Sequence, residues 1–397
     1  MKRLLLALCA CASALCAPAR AAAPIVIAHI YGKTGPLAVY GDQLQRGLQL
    51  GIDYATHGTD TVLGRRIDIE LLDDQGHAGR ARALFQQALG DDRVALAVGP
   101  VNSGNALAVL PLAQQYRKIV MPEGVADSIT GRDFNRYVFR IGRNSSQDAI
   151  AQALALGGKG VCAAILAPDY AFGHDGAAAF KTALQTVGGR IVGEAFLPGN
   201  TTDFTAGGEK LINALKAADG CASKDIFIIW AGAANPFGGL QALNPEAAGI
   251  HLTSGGNILQ ALALYKPVVG MQGAAYYDYR LPHNPVNDWL VREHFKRFKS
   301  PPDFFTCQGF AEGQAIVAAL KKAGSTDTPK LIHALEGMRF ESPKGEIVIR
   351  AQDHQAMQDM YHFEVVLDPK AIYSGGVALK LVNVIPAADM HVPVERP

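Results

Sequence analysis

The chain has 397 residues, 49% hydrophobic and 18% charged, with 37 Lys and Arg against 36 Asp and Glu and a formal charge of +1. So balanced a composition carries no basic field for nucleic acid, and the length implies two domains rather than one. Beyond the first residues no apolar run reaches the length that a membrane span needs.

Lys2 and Arg3, the apolar run Leu4 to Leu15 and the Ala-rich stretch to Ala23 read as a secretory signal peptide over 1–23. Its core is too short to span as a transmembrane helix, and Leu8-Cys9-Ala10-Cys11 leaves too little apolar sequence before it for a lipoprotein signal. Cleavage after Ala23 removes Lys2, Arg3 and Arg20, which takes the formal charge from +1 to −2. It leaves Cys162, Cys221 and Cys307, an odd number for an oxidising compartment, at a spacing that suits no zinc site.

Residues 25–30 (IVIAHI) read as a buried strand, followed by the loop YGKTGPLAVYGDQ and a helix to about Ala55. A second strand covers 67–74, where Asp73 and Asp74 are expected to cap the next helix, Ala78 to Leu89. The stretch VALAVGPVNSGNALAVLPLAQ then gives a buried strand, a small-residue turn and a helix. A helix opening directly after such a strand aims its unpaired N–H groups beyond the strand's carboxyl end, where a carboxylate or phosphate fits. Ordinary capping by Ser103 or Asn105 accounts for the same residues without a ligand. Strands at 118–124 and 137–142 complete an α/β half with a parallel sheet.

The pattern starts again with strand and loop 160–173, a helix to about Val187, strand 190–197, a helix near 205–217, strand 225–233, a helix around 237–243 and strand 250–254. The topology repeats although the sequence does not, which predicts two doubly wound lobes. A strand over 270–279 ends the second series. Helices follow at Asp288 to Arg297, Cys307 to Lys322 and Pro329 to Leu335. EIVIR (346–350) and YHFEVVL (361–367) read as a terminal hairpin-like pair, and the tail after Asp368 carries little signal.

No G-x-S-x-G elbow, H-E-x-x-H, P-loop or G-x-G-x-x-G stands between a strand and a helix, so no catalytic residue, metal site or cofactor is expected. His354 and His362 are too far apart for a helical metal pair.

TGPLAVYG with its helix, DDQGHAGRA, VGPVNSG with ALAVLPLA, and DYAFG followed by GGRIV and TDF together resemble the periplasmic leucine/isoleucine/valine-type solute-binding proteins of ABC transporters. The likeness runs over most of the chain after residue 23. It implies the type I periplasmic-binding-protein fold, an α/β class with two doubly wound parallel-sheet lobes joined by three crossings. On that plan residues 24–141 and 278–338 form the first lobe, and 142–277 and 339–397 the second, with crossings near 141–144, 274–278 and 338–343. The implied function is delivery of a small carboxylate, an amino acid or related organic acid, by a periplasmic monomer to an inner-membrane ABC permease. A ligand-binding sensor subunit is the rival reading, since fold alone does not fix function.

The resemblance assigns ligand contacts to Tyr40, to the carboxylate-holding turn Asn102, Ser103 and Gly104, to Glu123, Gly124 and Val125, and to Phe172, with Tyr170 beside it. Where the family has a tyrosine pair after the strand at 225–232, Ala233, Ala234 and Asn235 stand here, and Asn235 is the candidate contact. Tyr277 lines the cleft or the hinge, and Tyr276 is placed at the hinge. Glu123 either faces the cleft, where it pairs with an α-amino group, or faces water, in which case no residue satisfies a buried ammonium. Cys162 and Cys221 sit at or just before neighbouring strands of the second lobe and are expected to form a disulfide. The cysteine positions some family members use in the first lobe hold Gly76 and Asn102.

Overall fold

A computed structural model describes residues 22–231 and 234–395. The signal-peptide reading falls outside them except for its last two residues. The first lobe runs β1 (Ile25–Tyr31), α1 (Ala38–Ala55), β2 (Thr61–Val62), β3 (Arg65–Asp73), α2 (Ala78–Gly90), β4 (Val94–Val98), α3 (Ser103–Tyr116) and β5 (Ile119–Met121). Its sheet has the order β2-β3-β1-β4-β5, parallel except where β2 turns back on β3. Apolar runs suit strands covered on both faces, and Ile25, Ile27, Leu96 and Val98 are all buried.

The second lobe runs α4 (Ser145–Leu156), β6 (Val161–Pro168), α5 (Ala171–Thr186), β7 (Arg190–Leu197), α6 (Thr205–Ala217), β8 (Ser223–Ile228), α7 (Phe237–Ala242), β9 (Ile250–Ser254) and α8 (Leu259–Leu262). Its sheet is β7-β6-β8-β9, all parallel. Cys162 on β6 is disulfide-bonded to Cys221, just before β8, with Cα atoms 5.5 Å apart, and Cys307 is free and buried. The chain continues through β10 (Gln272–Ala275), α9 (Pro285–Phe298), α10 (Phe304–Ala323), α11 (Thr328–Leu335), β11 (Arg339–Ser342), β12 (Gly345–Ile349), β13 (Ala356–Met357), β14 (Met360–Leu367) and β15 (Val377–Ile385). Among the described residues no helix is long and apolar enough to cross a membrane.

Several expectations are corrected. Residues 137–142 are no strand: Val138 bridges Val120 and Arg140 bridges Gln355, so the backbone pairing is split between two partners and no ladder forms. The segments 346–350 and 361–367 do not pair with each other. β12 lies between β11 and β13, while β14 lies between β10 and β15. β10 is therefore antiparallel to β14 in a separate three-stranded sheet and does not close the parallel series. Asp73 and Asp74 do not cap α2. Asp73 accepts from the backbone of Lys33, Thr34 and Gln75, and Asp74 from Gly76, so both brace the turns between β1 and α2.

The cores also redraw the division of the chain. Ile347, Ile349 and Ala356 belong to the same buried cluster as Ile25, Ile27 and Leu96, whereas Phe363 and Val365 belong with Leu166 and Ile226. Residues 339–357 thus pack on the first lobe, not the second, and the third crossing falls near 357–360. Across the cleft the Ser128 amide and hydroxyl donate to Asp175 on α5 (2.9 and 2.7 Å), and the Leu259 amide donates to Asp303 before α10 (3.0 Å).

α10 lies directly on α1. Gly47 and Gly51 on α1 face Gly309 and Gly313 on α10, and a Cβ added at any of the four would run into backbone of the opposite helix. Both helices carry the small-xxx-small spacing that puts two glycines on one face. Gly51→Ala or Gly313→Ala is expected to lower the unfolding free energy by about 1–3 kcal/mol, the usual cost of overpacking. Gly79→Ala on α2, where an added Cβ meets nothing within 4 Å, is expected to be neutral or mildly stabilising. Urea unfolding of the three variants checks this; equal stabilities across the three would contradict the close-packed interface.

Candidate functional site

A cavity of about 130 Å³ lies between the lobes, walled from the first by Tyr40, Ser103, Glu123, Val125, Phe304 and Phe305 and from the second by Asp148, Tyr170, Phe172, Trp230 and Ser254–Asn257. Arg143 and Tyr276, from the first two crossings, close one side.

Ser103 opens α3, and the Asn102 side chain caps the helix by accepting from the Asn105 amide at 3.0 Å. The Ser103 hydroxyl oxygen accepts from the amides of Val125 (3.1 Å) and Ala126 (3.2 Å). Both lone pairs are thus engaged, and the hydroxyl proton is left to donate. The amides of Ser103 and Gly104 meet no acceptor among the described residues. Gly124 makes this fit possible, since a Cβ there would stand 3.0 Å from the Ser103 Cα. The start of a 14-residue helix therefore presents two N–H groups and one O–H, a donor set for an anion.

Arg143 is buried, 6% exposed. Its Nε donates to both oxygens of Asp148 (3.1 Å each) and Nη1 to Gln308 Oε1 (3.4 Å). Its guanidinium lies 4.5 Å from the centre of the Phe304 ring and 5.1 Å from that of Tyr276. Nη2 has no acceptor among the described residues. The ammonium of Lys344 also stands against Tyr276, 3.9 Å from the ring centre, and donates to the Asp359 carbonyl at 2.6 Å. The first two crossings thus meet at the Tyr276 ring, and Lys344 ties that ring to Asp359 of the third.

The remaining sequence candidates divide. Tyr40, Ser103, Glu123, Val125, Tyr170 and Phe172 reach the cavity, and the Tyr170 hydroxyl donates to the Ala231 carbonyl at 3.0 Å. Asn102, Gly104 and Gly124 adjoin the lining residues Ser103, Glu123 and Val125 without lining the cavity themselves. Asn235 does not line it, because its side chain accepts from the Phe237 amide at the start of α7 (2.9 Å). Tyr277 points away and donates to Asn287 (2.7 Å), so Tyr276, assigned to the hinge, is the one that faces both hinge and cavity. Glu123 neither opens to water nor projects free into the cleft. It is fully buried, with Oε1 3.1 Å from His29 Nε2.

Sequence reasoning missed Arg143, Asp148, Phe304 and Phe305. The IGRNSSQD segment carries a charged residue at the point where the chain leaves the first lobe, and that position was its only signal. Among the described residues no group of His, Cys, Asp and Glu is arranged to hold a metal ion.

Comparison with known proteins places this geometry. A family model described as "Periplasmic binding protein" matches residues 24–371. The Leu/Ile/Val-binding protein BraC3 of Rhizobium johnstonii is 29% identical over 316 residues, 78% of this chain and 82% of that one. The structure of an ABC-type branched-chain amino acid transporter protein from Rhodopseudomonas palustris is 50% identical and covers 94% of this chain and 100% of that one, with a TM-score of 0.83. A solute-binding protein from another strain of that species, in complex with 3,4-dihydroxy benzoic acid, is 26% identical, covers 92% and 98%, and has a TM-score of 0.78.

The Lys344 stack has a titration signature. Burial pulls the Lys344 ammonium down to about 7 from its ordinary 10.5, against the smaller opposing pull of Cys307 and Asp359. Between those values the unfolded chain holds a proton that the folded chain has released. Stability therefore rises as pH increases through this window, by up to about 1.4 kcal/mol per pH unit. Lys344→Met is expected to remove that rise. Urea unfolding at several pH values across the window checks it, and an identical slope in the variant would contradict the assignment.

Proposed function

The chain belongs to the periplasmic binding protein family, and from that premise we propose that it captures a small monocarboxylate between its lobes and delivers it to an inner-membrane ABC permease. It is a binding protein, not an enzyme. The observation that carries the reading is Ser103: a hydroxyl with both lone pairs engaged, beside two free amides at a helix start, at a cavity whose wall also holds the Arg143 guanidinium and several aromatic rings. Charge-assisted hydrogen bonds of this kind contribute roughly 1.5–3 kcal/mol each.

Size supports the same reading. An apolar cavity of about 150 Å³ accepts benzene in another protein, so 130 Å³ suits one ring or one branched alkyl group. Tyr40, Tyr170, Phe172 and Phe305 offer flat apolar surface for it. The relatives agree in chemistry, since branched-chain amino acids and 3,4-dihydroxy benzoic acid share a carboxylate on a small apolar body. Capture by rotation of the lobes about the three crossings follows from a site that draws on both. The contacts of Asp175 with Ser128 and of Asp303 with Leu259 would hold the closed arrangement.

The test is a thermal-shift and titration panel on ligand-freed protein, with single-ring and branched-chain carboxylates beside their carboxamides. Carboxylates are expected to raise Tm and amides not to, and Ser103→Ala is expected to weaken carboxylate binding about tenfold or more. The radius of gyration from small-angle scattering is expected to fall on saturation. Amides that stabilise as well as carboxylates would overturn the anion site, and an unchanged radius would overturn the closure.

A further inference from the structure

We infer that residues 386–395 form a strap, a fourth tie between the lobes beside the three crossings, and that it biases the lobes toward the closed arrangement. The inference goes beyond the binding reading above and takes from it only the rotation of the lobes.

The strap starts on the second lobe. β15 belongs there, since Val377 and Leu379 share a buried cluster with Leu166 and Ile226. The chain that leaves β15 then turns toward the crossings. The Ala387 amide donates to Asp359 Oδ1 at the third crossing (2.9 Å), and the Asp389 amide closes a turn on the Pro386 carbonyl (3.0 Å). Met390 and Val392 are 2% and 6% exposed and join the apolar cluster that holds Tyr276, Tyr277 and Met360. Asp389, His391 and Pro393 beside them are exposed, so two apolar side chains seat the tail over the crossings.

The far end reaches the first lobe. Arg350 follows β12, which packs there through Ile347 and Ile349. Its Nη1 donates to the Val392 carbonyl (2.7 Å) and its Nη2 to the Pro393 carbonyl (3.2 Å), while Nε and Nη2 also engage Asp353. A planar guanidinium can serve a carboxylate and two carbonyls at once, which an ammonium cannot. Glu395 then runs against Gly131, where an added Cβ would stand 3.1 Å from the Glu395 carbonyl oxygen.

Between its two ends the tail rims a groove of about 480 Å³ that separates Ser128 and Arg132 of the first lobe from α4 and α5 of the second. Ser128 and Asp175, which are hydrogen-bonded across the lobes, line the same groove. The strap is therefore fixed to both lobes beside a gap that their rotation opens or shuts. Parting the lobes costs the Arg350 clasp or the turn at 386–389, and neither is lost while they stay together. A tie made in one arrangement only shifts the population toward that arrangement.

The test is small-angle scattering on the ligand-freed full chain, unaltered and as Arg350→Lys or Gly131→Leu. Lysine keeps a charge for Asp353 but lacks the fork for both carbonyls, and leucine displaces Glu395 without touching the clasp. Both variants are expected to show a larger ligand-free radius of gyration than the unaltered protein, and to bind benzoate about threefold or more weakly. Gly51→Ala, which lowers stability away from the tail, is expected to leave the ligand-free radius unchanged. Ligand-free radii unmoved in Arg350→Lys and Gly131→Leu, while the unaltered protein contracts with benzoate, would overturn the strap and leave the closure standing. A radius enlarged equally in Gly51→Ala would also overturn it, because the change would then follow stability and not the tail. No contraction of the unaltered protein with any carboxylate of the panel above would overturn the closure itself, and this inference with it.

Discussion

Four glycines hold α10 against α1 at backbone distance, and the rest of the binding side depends on that contact. α10 comes late in the chain, yet it supplies Phe304 and Phe305 to the cavity wall and Gln308 and Glu312 to the layer behind it. Its starting residue, Asp303, also accepts from Gln43 on α1 and from Leu259 across the cleft. A helix carrying so many polar and aromatic duties tolerates little displacement, because each duty is set to within a few tenths of an ångström. Side chains between the two helices would move α10 outward and detach Gln308 from Glu123.

The site that results has a particular charge economy. Its cation, Arg143, is neutralised by Asp148 and flanked by aromatic faces, while its other acid, Glu123, is fully buried against His29. What is left facing the cavity is a donor set at the start of α3 and the free edge of a guanidinium. Such a wall favours an incoming negative charge, and the aromatic surface opposite favours an apolar body. The ring of Tyr276, in contact with both Arg143 and Lys344, joins this chemistry to the crossings about which the lobes would turn.

The α/β repeat and the turn before α3 were legible in the sequence because both rest on local pattern: apolar runs of strand length, small residues at a helix start, and short connections. Ser103 could be placed for the same reason, whereas Tyr40 and Phe172 were placed by the family resemblance. What the sequence hid was decided by distant partners. Nothing local tells EIVIR to pair with 339–342 and 356–357 and not with 361–367, since a short strand pairs with whichever neighbours the topology brings to its two sides. The VALKLVNVI run that forms β15 lacks strict alternation because both its faces are partly exposed. Arg143 and Glu123 were ambiguous because a charged residue's role depends on which groups tertiary packing puts beside it. Glu123 had two readings, and the structure gives a third.

The most direct measurement is a crystal structure of the ligand-freed protein resaturated with a single-ring carboxylate. The account predicts the carboxylate oxygens within hydrogen-bond distance, about 3 Å, of the Ser103 and Gly104 amides and the Ser103 hydroxyl, with the ring between Tyr40 and Phe172. A carboxylate bound instead at Ser254–Asn257, with the start of α3 facing the ring, would contradict it.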